Sequence, residues 1–445
     1  MGVLKENLLL KGLFPLSDLV FHTHIGAWYR QVGRMLEWSP EQIRQWQERR
    51  LRELMENAYR YSPYYHQLFD SLSIRPQDIR RAGDLERIPP LTKEILRERY
   101  DDILLQGKPG LHYRHCTTGG STGNPTRYVK DNESWGFDNA FNIWMWKQTG
   151  YRYGDRFLAL GSSSLFPTQK GSLRHKLYYG IRGKIPFNAM NLSQERLAEC
   201  VDLIRKKNLH YIYGYASSLF LLAQYVEEHH LENDIRIKAC FPTSEILTDL
   251  YRSTLERVFR CTVSDFYGAH DGGIVAHNIR GGFKVSYNCL VQTADGSDSG
   301  PALLTDVTST SFPFIRYQLG DEVSLGDGYG PYFNGQVLSR VIGRTSDVIR
   351  LENGRVLTGP GFTVLFGKLR ILGYRIEKAA PMTLLVEVVK SEGYDRTDEE
   401  LLLATLHKHA GDDCQIQIRY KDQVQTRKNG KNLFFLNSSP DSTSA

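Results

Sequence analysis

Cysteine is scarce in this chain: six residues in 445, at positions 116, 200, 240, 261, 289 and 414, with no Cys-x-x-Cys pair. That excludes a disulfide-stapled scaffold and a paired-thiol zinc site, and it suits reduced thiols in the cytoplasm. Long apolar runs are missing too. Leu8-Leu9-Leu10 is broken by Lys11 and Pro15, too short for a signal-peptide core or a membrane span, which leaves room only for a weak peripheral membrane contact through residues 8–21. Met1-Gly2 invites a myristoylation reading, but residue 6 is Glu rather than Ser or Thr. A strong charge imbalance is also lacking: the net charge is +6, and no basic run is interleaved with aromatics, so no nucleic-acid partner is expected. What remains is an ordinary globular composition, 41% hydrophobic and 24% charged, on a chain too long for one core.

The apolar periodicity gives the organisation. Ser39-Pro40-Glu41-Gln42 reads as a capped helix start, with Ile43, Trp46, Leu51, Leu54 and Met55 near helical spacing as far as Tyr61. Further helical pieces over 64–71 and from Thr92 make the first hundred residues a helical layer. Strands and helices then alternate: helices over 133–148, 194–207, 217–229 and 247–259, strands over 157–161, 209–213, 237–241 and 262–267. This alternation predicts an α/β core with a largely parallel sheet. Short strands separated by Gly and Asp turns follow, over 285–291, 301–307, 314–317 and 336–342. A compact α+β segment closes the chain, with a strand over 383–389, a helix over 398–409 and a strand over 415–420, before a Ser-rich tail over 437–445 that reads as disordered.

The most distinctive stretch is Thr117-Thr118-Gly119-Gly120-Ser121-Thr122-Gly123-Asn124-Pro125-Thr126, set between two strand-like segments. Glycines let backbone N–H groups close on an anion, and Ser/Thr hydroxyls add rotatable donors, so it reads as a phosphate-gripping loop. A Walker loop is excluded, because Gly123 is followed by Asn124 and Pro125 rather than Lys and Ser/Thr. Gly119-Gly120-Ser121-Thr122-Gly123 also fits a nucleophile elbow, which would make Ser121 a hydrolase nucleophile with His270 or His277 as its base; Pro125 and the following strand-like residues argue against the helix that elbow requires. An ordinary Gly/Ser surface loop is the third reading.

Four later segments weigh on the choice. Tyr267-Gly268-Ala269-His270-Asp271-Gly272-Gly273 ends a strand with an aromatic ring, a glycine and an acid, suited to stacking a base and holding a magnesium ion. Phe314-Ile315-Arg316-Tyr317-Gln318-Leu319-Gly320-Asp321 places a carboxylate where it can accept two sugar hydroxyls. Gly343-Arg344-Thr345-Ser346-Asp347 lies where the composition changes, as a hinge would. Arg427-Lys428-Asn429-Gly430-Lys431 offers a lysine on a glycine-containing turn.

Together and in this order, these segments resemble the adenylate-forming enzyme superfamily, in particular its phenylacetate-CoA ligase and capsular-polysaccharide ligase-like branch. Ser62-Pro63-Tyr64-Tyr65, Ile88-Pro89-Pro90-Leu91-Thr92-Lys93 and Tyr213-Gly214-Tyr215-Ala216-Ser217-Ser218-Leu219 look like that branch as well, so the likeness covers nearly the whole chain. It implies an α/β fold: a large N-terminal core over 1–343, with a helical opening over 1–105, mainly parallel sheets over 106–285 and a β-rich part over 286–343, then a small mobile α+β domain over 344–436. It implies ATP and Mg2+ as cofactors, with Thr118, Gly119, Gly120, Ser121, Thr122 and Gly123 around the phosphates, Tyr267 and Gly268 at the adenine, and Asp321 and Arg344 at the ribose. Asp271 would bind the metal, Asp347 would be the hinge, and Lys431 would be the catalytic lysine; Ser244 and Glu245 are further nucleotide-side candidates. The partners implied are a small carboxylic acid and an acceptor, either coenzyme A or an amine or hydroxyl compound, and a homodimer is compatible with the chain. Two departures stand out: Asp271 where the family has glutamate, and Asn124 where a lysine is common. They keep a nucleotide-binding homologue without ligase chemistry in view.

Overall fold

The computed structural model describes residues 2–117, 127–161, 180, 183–188, 192, 194–243, 245, 247–269, 273–278, 281–326, 335–344, 348–353, 356–358, 369–390, 393–421 and 435–437. They group into two compact units: Met1–Glu245, Tyr251–Leu319 and Val323–Val341 form the first, and Ile246–Leu250, Gly320–Glu322 and Ile342–Ala445 the second.

The first unit opens with helices α1 (Gly2–Leu8), α2 (Phe14–Phe21), α3 (Ile25–Met35), α4 (Pro40–Tyr61) and α5 (Pro63–Ser71), with a π-helical turn, Leu9–Leu13, joining the first two. The start of α4 is fixed locally. Ser39 accepts from the backbone N–H of Gln42, the Gln42 side chain accepts from the Ser39 N–H, and Pro40 takes the first turn. Ser62 ends α4 and caps α5, while its hydroxyl also donates to the Asp102 carbonyl. Thr92 then caps α6 (Lys93–Glu98), and α7 (Tyr100–Ile103) follows.

Five strands form a parallel sheet in the order β4-β3-β5-β6-β7: β3 (Phe157–Gly161), β4 (Lys184–Asn188), β5 (Tyr211–Tyr215), β6 (Ala239–Thr243) and β7 (Thr262–Val263). β3 and β6 are buried along their whole length, as expected of a sheet covered on both faces. At the centre, Gly214 is required by close approach: a Cβ there would lie 2.3 Å from the Leu160 carbonyl oxygen. Residues 262–267, expected as one strand, divide at Ser264. β7 stays in the parallel sheet, whereas β8 (Asp265–Ala269) begins a second sheet.

That second sheet has seven strands in the order β11-β12-β13-β14-β10-β9-β8, with β9 (Gly273–Asn278), β10 (Phe283–Val285), β11 (Cys289–Thr293), β12 (Ser299–Asp306), β13 (Tyr317–Leu325) and β14 (Val337–Arg344). The pairs β8–β9, β9–β10, β10–β14 and β11–β12 are antiparallel. Around these sheets lie α8 (Asn132–Lys147), α9 (Gln194–Lys207), α10 (Ala216–Glu228) and α11 (Asp249–Phe259). The aromatics of α8 pack rather than line an open pocket. Trp146 stacks on Phe241 at 3.9 Å, Trp144 stacks on Tyr29 at 4.9 Å, and Trp135 lies under the Arg114 guanidinium.

In the second unit, β17 (Ile371–Ala380) and β18 (Thr383–Lys390) form an antiparallel hairpin, flanked in parallel by β20 (Phe435–Asn437) and β19 (Gln415–Tyr420). β15 (Val348–Arg350) and β16 (Val356–Thr358) make a separate hairpin. Helix α12 (Arg396–Ala410), capped by Asp395, buries Leu402 and Leu406 with Ile376, Leu384, Val386 and Val388. Among the described residues no helix is long and apolar enough to cross a membrane.

Candidate active site

The hydroxyl-and-glycine stretch is carried on a hairpin. β1 (Tyr113–Thr117) and β2 (Arg127–Asp131) pair antiparallel, and the Thr117–Arg127 pair brackets residues 118–126, which lie outside the described residues. The exit strand leads directly into α8 through Asp131. Its carboxylate caps the helix by accepting from the Ser134 N–H at 2.8 Å and also accepts from the Thr310 and Ser311 N–H groups at 2.7 and 2.9 Å. Burial pushes the Asp131 carboxyl up to about 6, while the Ser134 and Ser311 N–H groups oppose the rise.

Beside it, Lys130 is buried in β2 after the apolar pair Tyr128 and Val129. Its ammonium pairs with Asp138 at 2.8 Å and donates to the Ser134 hydroxyl at 2.7 Å. Ser134 passes the link on, donating to Asp306 at the end of β12 at 2.6 Å. The other Asp306 oxygen accepts from Asn288 and from both the N–H and the hydroxyl of Thr308. Burial works against the Lys130 charge, but Asp138 and Asp306 outweigh it and hold the ammonium above the ordinary lysine range.

The same pair sits at the mouth of the β8–β9 turn. Gly273 has φ +77°, and a Cβ there would lie 2.4 Å from the Asp138 carboxylate and 2.8 Å from the Lys130 ammonium. One buried ion pair thus joins the stem of the hairpin, the first turns of α8 and the start of β9. Sequence reasoning missed this cluster; the signal was a lysine inside the buried run Tyr128-Val129-Lys130, followed by an Asp in capping position.

On β8, Tyr267 is buried and pairs with Ala276, and Gly268 approaches the backbone of Gly273. Phe266 faces the ring of Tyr213 on β5 in parallel, 6.4 Å away, and packs against His277. His277 is 1% exposed, neither ring nitrogen has a hydrogen-bond partner among the described residues, and burial pulls its pKa down to about 3. Burial also lifts Asp265 to about 7, against the pull of Arg252.

The comparisons with known proteins agree with this architecture. A 2-hydroxyisobutyryl-CoA ligase in the postadenylation state, in complex with R3-HIB-AMP, matches with a TM-score of 0.67 at 17% identity over 88% of this chain and 89% of that one. No protein-family model matches the chain. Protein CapK of Staphylococcus aureus is 20% identical over 419 residues, covering 92% of each chain. A phenylacetate-coenzyme A ligase of Pseudomonas putida is 23% identical over 345 residues, 72% of this chain and 74% of its own. These likenesses over most of the chain support an adenylate-forming superfamily.

Of the residues assigned from the likeness to adenylate-forming enzymes, the structure places Tyr267 and Gly268 together on β8, beside the turn that Gly273 closes. Glu245 follows β6, where its carboxylate adds to burial in raising the Tyr251 phenol. Asp321 is buried on β13, and Arg344 ends β14. Thr118, Gly119, Gly120, Ser121, Thr122, Gly123, Ser244, Asp271, Asp347 and Lys431 lie outside the described residues, as do Asn124, His270 and Lys428. Among the described residues no group of three His, Cys, Asp or Glu side chains is arranged to hold a metal; His277 is on β9 and Cys289 on β11, which are not neighbours in the sheet.

Proposed function

We propose that this adenylate-forming protein activates a small carboxylic acid with ATP and passes the acyl group to coenzyme A or another nucleophile. Support comes chiefly from the likeness to CapK and phenylacetate-coenzyme A ligases over most of the chain. The site adds a second reason, since the hairpin stem and the β8–β9 turn, which bracket the two segments assigned to phosphates and metal, converge on one buried ion pair.

In the first half-reaction a carboxylate oxygen attacks the α-phosphorus of ATP. The bond to the bridging oxygen breaks, giving acyl-AMP and pyrophosphate. Residues 118–123 supply backbone and hydroxyl donors to the phosphates, Tyr267 and Gly268 border the adenine, Asp321 and Arg344 hold the ribose, and Ser244 and Glu245 flank the nucleotide. Lys431 bridges the acid's carboxylate and the α-phosphate, and its charge is worth most as negative charge builds on the transferring group. Mg2+, bound through Asp271 and phosphate oxygens, would neutralise the triphosphate, since that ion typically uses one or two carboxylates and keeps phosphate and water as its other ligands. In the second half-reaction a thiol, amine or hydroxyl attacks the acyl carbonyl and AMP leaves, with Asp347 as the pivot that withdraws Lys431.

The test is pyrophosphate release over a panel of aryl, fatty, amino and sugar acids, with and without coenzyme A. Release that needs both acid and ATP is expected. Lys431→Ala abolishes acid-dependent exchange of pyrophosphate into ATP and leaves transfer from preformed acyl-AMP largely intact. Equal loss of both steps would remove Lys431 from this role, and ATP binding with no acid-dependent release from any acid would favour a homologue without ligase chemistry.

A further inference from the structure

From Gly2 to Phe21 the backbone runs as one helical rod with two unlike faces. The inner face is fully engaged. Leu9, Leu10 and Phe14 are buried in a cluster with Ile143, Trp146 and Tyr153. Both acids of the rod are also occupied: Glu6 accepts from Lys147 at 2.9 Å, and Asp18 accepts from the Thr23 hydroxyl and the Ala27 N–H, each at 2.8 Å.

The outer face is different. Leu8 is 70% exposed, Leu16 56%, Leu19 77% and Val20 55%. Single exposed leucines are ordinary, but four large aliphatics within thirteen residues on the outward side of one rod form a ridge. Beside it, Lys11, Arg30 and Lys147 line a cavity of about 340 Å³ with Glu6 as its only carboxylate, and Glu6 is already paired. The outward charge next to the ridge is therefore cationic.

We propose that this face docks on an anionic membrane surface, with the Leu8, Leu16, Leu19 and Val20 ridge entering the acyl boundary and Lys11 and Arg30 meeting lipid phosphates. A projecting apolar ridge with flanking cations and no free acid is the pattern of a helix lying in a membrane interface. A second copy fits less well, because a two-fold pairing of the rod sets cation against cation while Glu6 is held by Lys147 and Asp18 by Thr23 and Ala27. The rod lies along the surface and does not cross it, since Glu6 and Phe14 tie its inner side to the rest of the unit.

Flotation of the full chain with vesicles tests this. Vesicles of phosphatidylcholine alone should not carry the protein. Vesicles with about one-third phosphatidylglycerol should, at about 0.1 M salt, with binding weakened at high salt. Leu16→Gln with Leu19→Gln should lower partitioning at least about tenfold while the thermal midpoint stays unchanged, because both side chains are already in water. Lys11→Glu with Arg30→Glu should abolish the preference for anionic lipid. Three results would overturn the proposal: no flotation with either vesicle, equal flotation of wild type and the leucine variant, or a dimer in light scattering that the leucine substitutions dissolve. Adenylation in solution involves none of these residues, so either outcome leaves the proposed reaction to stand or fall separately.

Discussion

Lys130 decides whether the cluster behind the candidate site is structural ballast or a joint between segments. Its ammonium pairs with Asp138 on α8 and reaches Asp306 on β12 through Ser134, and removing it leaves both carboxylates buried without that charge. Lys130→Met is expected to cost about 3–5 kcal/mol of stability in urea unfolding. Lys130→Met with Asp138→Leu should recover most of it, because a neutral apolar pair carries no uncompensated charge; a double variant as unstable as the single would contradict the joint. Asp265 makes the complementary prediction in pH. Burial lifts its carboxyl to about 7, so the folded protein holds the proton more tightly than the unfolded chain, whose aspartates titrate near 3.9. Stability from this group is therefore full below about pH 4, falls as pH rises to about 7, and is level above. Asp265→Asn should flatten that fall between about pH 4 and pH 7 in thermal midpoints. In the sequence only a lysine after Tyr128-Val129 and before a capping Asp hinted at this, and its partners were not legible. Lys130 lies 176 positions from Asp306 along the chain as numbered, and only folding shows that they share an environment.

At the scale of elements the sequence was informative wherever local chemistry sets a boundary. Ser39 with Gln42 marked the start of α4, Thr92 that of α6, and the strand expected over 415–420 is β19 as found. It was misleading where hydrogen bonds outside the strand ladders bend a run of β-forming residues. Residues 285–291 form two strands, because Tyr287 and Asn288 turn the chain between them; the Cys289 N–H bonds back to the Ser286 carbonyl, and Ser286 donates to Asn288. Likewise Phe314 and Ile315 precede β13 rather than belong to it. Arg316 takes φ +50° there, with its N–H bound to the Thr305 hydroxyl. The β8–β9 turn gives the element-scale prediction. Gly273→Ala combines a left-handed backbone with a Cβ 2.4 Å from Asp138, whereas Gly281→Ala meets the same kind of backbone (φ +63°) with nothing within 4 Å. The first should cost at least about 2 kcal/mol more than the second in unfolding experiments; equal costs would mean that β9 does not press on the ion pair.

For the whole molecule, the alternation of helices and buried strands made the parallel sheet readable, and the Gly and Asp turns announced a β-rich part without fixing its strand order. The ordered motifs carried the likeness to adenylate-forming enzymes, because their spacing over some three hundred residues is a property of the chain and not of its folding. The acid and the acceptor were not legible, since a binding pocket is assembled from side chains on several elements and leaves no contiguous signature. The central claim is that a carboxylate oxygen attacks the α-phosphorus of ATP. It is tested most directly with an acid that supports pyrophosphate release, labelled with ¹⁸O in both carboxylate oxygens and turned over through to the acceptor. The account predicts AMP carrying one labelled oxygen and pyrophosphate carrying none. Label in inorganic phosphate, or AMP without label, would contradict it.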